Sequence, residues 1–414
     1  MRVGLGLVIS GGAVYGFLGI TARVLGPESY APLSVLWSLV FLVGPGVFLP
    51  LEQEVGRTLA GRGAGNPLSE SILRRGTVLG GLLSLALLIV VVAASPFLLA
   101  HLFAGNSLLL AGLALAVPSF AAMHLMRGWL AGIGRFGAYS LLIGSEGGLR
   151  LAAAAVMAAA GVRSSGLYGL VIGAATVAAV VLVLLVARPR IPPRGEPVSW
   201  AQLTESLGYL MLGSLVSQTL INAGPLAVQL LADESQVSAA GRLLAGIVLT
   251  RIPLYLFQAV QASLLPKLAS LGAAGDLAAF GRGMTQLLGI IAAVTVVGVT
   301  AAFLVGPAIL VLLFGPDFVL GRLDLALLAL SSCLMMAAQA FGQALVALRR
   351  HARAAQGWMT GAACFVGVTL VGKGLFARVE LGLIAGAAAS TIMLGATLWS
   401  SVDRNRRTRS AERI

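Results

Sequence analysis

The chain has 414 residues, of which 58% are hydrophobic and only 10% charged. A water-soluble domain carries about 25% charged residues, so this chain lacks the polar shell that a soluble core of its size needs. The net charge of +13 would point to nucleic acid in a soluble protein. Here it rides on arginines set between apolar runs, where arginine fixes membrane topology, and no nucleic-acid partner is expected.

Apolar runs of about 20 residues recur along the whole length, the signature of transmembrane helices. They predict an all-α polytopic membrane protein with about twelve spans. Six fall near 3–23, 31–52, 77–95, 108–128, 139–160 and 167–187, and six near 207–230, 237–262, 284–304, 325–347, 355–374 and 381–400. With the N-terminus placed inside, twenty Arg and Lys lie in inner segments and five in outer ones. That bias predicts cytoplasmic positions for both termini. The first span has no small-residue cleavage site before Arg23 and is expected to be a retained helix, not a signal peptide. Cys333 and Cys364 fall within apolar runs, so no disulfide framework is implied.

Between the sixth and seventh spans lies Arg188-Pro-Arg-Ile-Pro-Pro-Arg-Gly-Glu-Pro197. Proline removes donors and clashes with the preceding turn, so this stretch reads as a solvated connector. The expected domains are a six-helix bundle over 1–187, a cytoplasmic linker over 188–202, a second six-helix bundle over 203–402 and a charged cytoplasmic tail over 403–414. Two pairs of segments recur in the same order. Arg23 to Ser29 matches Gln229 to Ser235 at an offset of 206 residues, and Pro96 to Asn106 matches Pro307 to Asp317 at 211. These matches argue for duplication. Six spans per half make the repeats parallel, the plan of many secondary transporters with a central site between halves.

Charged groups inside the spans are the candidate functional residues, because a charge at the bilayer centre costs about 2.5–3.5 kcal/mol and faces a cavity or a partner. Glu146 and Arg150, four residues apart, share a helix face as either a structural pair or a cavity feature. Arg251 lies mid-span with no acidic residue on its own helix, and Arg242 lies two to three turns away. These two are candidates for an anion site, with Arg150 a third. The competing account of Arg251 is a guanidinium capping carbonyls beside Pro253. Glu52 and Glu54 end the second span beside Arg57, as an interfacial cluster or as a gate or coupling element. Arg23, at an outer end, is either a gate or a snorkelling residue. Gln218, Asn222, Gln258 and Gln339 are candidate cavity-lining polar groups, or bonds between helices. Gly44-Pro45-Gly46 and Gly224-Pro225 free backbone carbonyls and bend their helices. His101, His124 and His351 lack metal-ligand spacing. No Gly-rich phosphate loop and no enzyme constellation is visible, so no cofactor is expected and an ion gradient is the candidate drive.

Ala22-Arg-Val-Leu-Gly-Pro-Glu-Ser-Tyr30, running into Leu36-Trp37 and Pro50-Leu-Glu-Gln-Glu54, resembles the start of polysaccharide-biosynthesis membrane proteins, as does Gly132-Ile-Gly-Arg-Phe136. These belong to the multidrug/oligosaccharidyl-lipid/polysaccharide (MOP) exporter superfamily. The resemblance implies a flippase for polyprenyl-pyrophosphate-linked oligosaccharide in a bacterial cytoplasmic membrane, working by alternating access. Its substrate would be the lipid-linked glycan, its surroundings the bilayer, and its neighbours glycan-assembly enzymes. Arg251, Arg242 and Arg150 would then bind the pyrophosphate. Two other readings stand beside it, a drug antiporter of the same superfamily and a non-transporting scaffold for glycan assembly. The drug-exporting relatives commonly carry an acidic residue in their first helix, and the first span here has none.

Overall fold

A computed structural model describes residues 2–60, 69–188, 207–255, 276–348 and 350–411, together with 257 and 270–271. The proposed linker, from residue 189 onward, and Gln258 lie outside the described residues. Eleven helical runs among the described residues are long and apolar enough to cross a membrane. The first, Ile9–Ala60, has 52 residues. At 1.5 Å per residue it reaches about 78 Å, more than twice the roughly 30 Å of a hydrocarbon core. It therefore holds two spans, and twelve is the count that the lengths support.

The break within that run is Gly26, at φ 70 and ψ 169 in helix α1 (Arg2–Val43). Only glycine takes such a conformation without strain. Pro27 follows at the first position of the next helix, where its missing N–H costs nothing. The loop expected over 24–30 thus narrows to a single residue. A π-helical turn, Gly44–Phe48, joins α1 to α2 (Leu49–Ala60). Pro45 cannot donate within that turn, and its carbonyl accepts the Ser214 hydroxyl at 2.8 Å.

The chain divides into two compact units, residues 1–218 with 232–241 and residues 219–231 with 242–414. The first holds α1, α2, α3 (Ser69–Ala93), α4 (Ser107–Gly132), α5 (Phe136–Ala159) and α6 (Ser165–Ala187). In it α1 packs on α5, α4 on α2 and α6, and α3 on α4. Helices α7 (Leu207–Leu231) and α8 (Val237–Thr250) are shared between the units. The second unit continues with α9 (Leu277–Leu304), α10 (Gly306–Phe314), α11 (Arg322–Ala347), α12 (His351–Val371) and α13 (Leu375–Ala411). Here α13 packs on α11 and α12, and α9 on α11. Helix α13 runs on into the expected tail.

The duplicated stretches share a local construction. After α3, Pro96 opens a short helical turn that ends before Asn106, whose side chain caps α4. After α9, Pro307 opens α10, which ends at Gly315.

With lipid outside, helices gain little from apolar contact and associate through close packing. The α2–α4 seam shows it. A methyl group at Gly128 would stand 2.6 Å from the carbonyl oxygen of Glu52, a backbone atom that cannot swing aside. Gly128→Ala is therefore expected to force α2 and α4 apart and lower stability by about 1–3 kcal/mol. Thermal unfolding in detergent, compared with a control such as Gly81→Ala, where no neighbour among the described residues lies within 4 Å, checks it.

Candidate functional site

The second unit contains a cavity beside Arg251. Proline at 225, inside α7, has no N–H to give the carbonyl four residues back, which belongs to Ile221. Arg251 supplies the missing donor, since its Nη2 hydrogen-bonds that carbonyl oxygen. Helix α8 ends one residue earlier, at Thr250, just short of Pro253. Arg251 is 7% exposed. The capping account of this arginine is right in kind, but the carbonyl it caps was freed by Pro225 and not by Pro253.

The same guanidinium lines the cavity, with Thr250, Ser331, Ser332, Met335 and Leu383 among its neighbours. The space open to a water's centre is about 20 Å³, enough for one water. The lining holds one arginine and three hydroxyl side chains and, among the described residues, no carboxylate. Such a surface favours a small anionic or strongly acceptor group. Asn222 is buried next to Ile221, while Gln339 is half-buried on α11. Arg242 lies nine residues before Arg251, roughly 13 Å along the helix and on its opposite side. It is half-buried, and its Nε finds no hydrogen-bond partner among the described residues. Arg242 and Arg251 are thus not brought to one site.

The first unit gathers the other charges. On α4, Phe120, His124 and Arg127 fall at i, i+4 and i+7. On α5, Tyr139, Glu146 and Arg150 fall at i, i+7 and i+11. Both sets occupy one helix face. Glu52 of α2 meets them. Its Oε2 lies 2.7 Å from His124 Nδ1, and its Oε1 lies 3.2 Å from Arg127 Nη2. The Tyr139 hydroxyl donates to the same Oε1 at 3.4 Å and accepts from Arg127 at 3.1 Å. Arg127 also stacks over the Tyr139 ring, 5.5 Å from its centroid.

Arg150 is 1% exposed and hydrogen-bonds Glu146 on its own helix. Its guanidinium lies 4.9 Å from the Trp37 ring centroid and 5.7 Å from that of Phe17. Ion pair and ring contacts together use this arginine inside the bundle. Glu54 is buried against Arg57, which donates to it at 2.6 and 3.2 Å, and against Thr58 at 3.2 Å. Arg23 is exposed beside Gly26, and Gln218 lies half-buried near Gly46. Sequence reasoning named Glu52, Glu146 and Arg150 but missed His124, Arg127 and Tyr139. Their helical spacing was the available signal.

Removing one member of a buried ion pair strands the other. Arg150→Met and Glu146→Gln are each expected to cost about 3 kcal/mol, and the double variant less than their sum. A double-mutant cycle from denaturant unfolding checks it.

No family model matches the chain. It is 26% identical over 405 residues to an uncharacterized protein, Rv1510, of Mycobacterium tuberculosis, covering 93% of this chain and 88% of that one. It is 25% identical over 389 residues to an uncharacterized protein, Mb3654, of Mycobacterium bovis, covering 92% and 86%. Among solved structures it is similar to an inward-facing multidrug resistance MATE family transporter of the MOP superfamily, with a TM-score of 0.77, 14% identity and 96% of each chain covered. An outward-facing structure of such a transporter matches with a TM-score of 0.70 and 13% identity, covering 98% of this chain and 96% of that one. The chain has the all-helical, two-bundle fold of the MATE transporters of the MOP superfamily.

Proposed function

We propose that this chain is a membrane transporter that flips a polyprenyl-pyrophosphate-linked oligosaccharide across a bacterial cytoplasmic membrane by alternating access. The observation that carries the reading is the cavity lining, an intramembrane arginine with three hydroxyl side chains and no carboxylate among the described residues. A pyrophosphate moving through hydrocarbon loses its hydration, and charge-assisted bonds from a guanidinium offset that loss. Arg251 is the residue assigned to this contact. The cavity now holds about one water, so the contact forms in a state where the site has widened. Arg242, on the opposite side of its helix, is assigned to a separate station on the path. Glu52 and Glu54 belong to a gate in the first unit. Glycan-assembly enzymes on the cytoplasmic side supply the substrate, and the termini lie on that side.

The multidrug transporters of the same fold favour a second reading, a small-molecule antiporter. A cationic drug calls for a carboxylate in its site, and the cavity lining presents an arginine instead.

Arg251 has a structural duty as well, and Pro225 allows the two to be separated. Arg251→Ala leaves the Ile221 carbonyl buried without that donor, at a cost of about 1–3 kcal/mol. Pro225→Ala restores a backbone N–H to that carbonyl. In cells that assemble the lipid-linked glycan, leaflet-selective labelling after gene deletion is expected to find the glycan on the inner face. Wild type should restore export. The Arg251→Ala, Pro225→Ala double variant should recover stability and remain at least tenfold down in export. Full export by the stable double variant would remove Arg251 from the substrate path. An unchanged glycan distribution on deletion, with no redundant flippase, would remove the flippase reading.

A further inference from the structure

The buried cluster in the first unit is balanced in charge. Glu52 and Glu146 supply two negative charges, Arg127 and Arg150 two positive ones, and Glu146 lies within electrostatic reach of Arg127. His124, 2% exposed, is the one member whose ordinary titration falls near neutrality. Its Nδ1 and the Glu52 Oε2 are 2.7 Å apart, close enough for a single proton to serve both atoms.

The surrounding elements add little charge. On α2, Glu54 is engaged by Arg57 and Thr58. Helix α3, packed on α2 and α4, carries the exposed Arg74 and the half-buried Arg75. On α1, Arg23 and Glu28 are exposed, and α6 has no charged side chain. Among the described residues, the groups that face His124 and Glu52 are therefore Arg127 and Tyr139, with Glu146 and Arg150 behind them.

We propose that Glu52 and His124 form a proton-binding site in the first unit, and that uptake of one proton there releases α2 from α4 and α5. With a neutral imidazole the cluster sums to zero. One added proton leaves it with a net positive charge inside an apolar bundle, whichever atom holds it. On His124 it makes an imidazolium beside the Arg127 guanidinium. On Glu52 it removes the counter-charge of Arg127. Either outcome favours a state in which these helices part and water reaches the charge. The parted state binds the extra proton, so acid populates it and alkali closes the seam. The α2–α4 contact at Gly128 puts the Glu52 backbone on the same seam, so its side-chain bonds and its packing are lost together. This inference deepens the transport reading and rests on it for the use of the proton, though not for the proton's binding or for the test.

The test needs no transported substrate, so its failure is distinct from failure of the flippase assay. Full-length protein in lipid nanodiscs is compared by hydrogen–deuterium exchange at roughly pH 5 and pH 8, corrected for intrinsic rates. Amides of 49–60 and 119–132 are expected to exchange about fivefold or more faster at the lower pH, while those of α6 stay level. His124→Gln should abolish that response, and His101→Asn, at an exposed histidine outside the cluster, should keep it. A second measurement covers the case in which His124→Gln does not fold. Imidazole NMR on 15N-histidine protein carrying His101→Asn and His351→Asn reports His124 alone. It should show a one-proton transition in step with the exchange change. An unchanged exchange response in His124→Gln, no response in wild type, or imidazole 15N shifts that do not change over this range in folded protein would each overturn the proposal.

Discussion

A polar group inside a bilayer must find its partner within the protein, because the lipid offers none. That constraint organises both units. In the second, Pro225 strips the Ile221 carbonyl of its helical donor, and Arg251 fills the gap. The undonated carbonyl and the buried arginine are each costly alone. Together they fix one another and place a guanidinium on the wall of a cavity. The Pro45 carbonyl in the first unit is met in the same way, by the Ser214 hydroxyl.

Charge follows the rule that backbone follows. Glu146 with Arg150, and Glu52 with Arg127 and His124, are drawn together because none could remain alone at that depth. Aromatic rings finish the arrangement. Trp37 and Phe17 present their faces to Arg150, and Tyr139 presents its face to Arg127, so each guanidinium that pairs with a carboxylate also meets an aromatic ring. A network closed in this way is rigid while its charges balance and weak when they do not. In the proposed transport cycle a single proton would change that balance.

Packing and polarity also share residues. Gly128 lets α4 approach the backbone of Glu52, and the side chain of Glu52 then reaches His124 and Arg127 on α4. In the second unit Gly361 and Gly382 admit the side chains of Ser390 and Thr369 in the α12–α13 seam. Small residues set how near two helices come, and that distance decides which polar atoms can meet.

The sequence by itself determined the class and the approximate number of spans, because each follows from local quantities. Twenty apolar residues span hydrocarbon whatever their partners. Glu146 with Arg150 was legible for the same reason, since both lie on one helix four residues apart. The rest depended on which helices adjoin, which hydropathy does not encode. Nothing in the sequence assigns Glu52 to His124, 72 residues away, or Arg251 to the carbonyl of Ile221, 30 residues away. His124 looked isolated because its carboxylate partner, Glu52, sits on another helix. Arg242 and Arg251 were read as one site, although the pitch of a helix already sets residues nine apart on opposite sides. Only the tertiary structure could decide these pairings, because a buried charge is matched by distance in space.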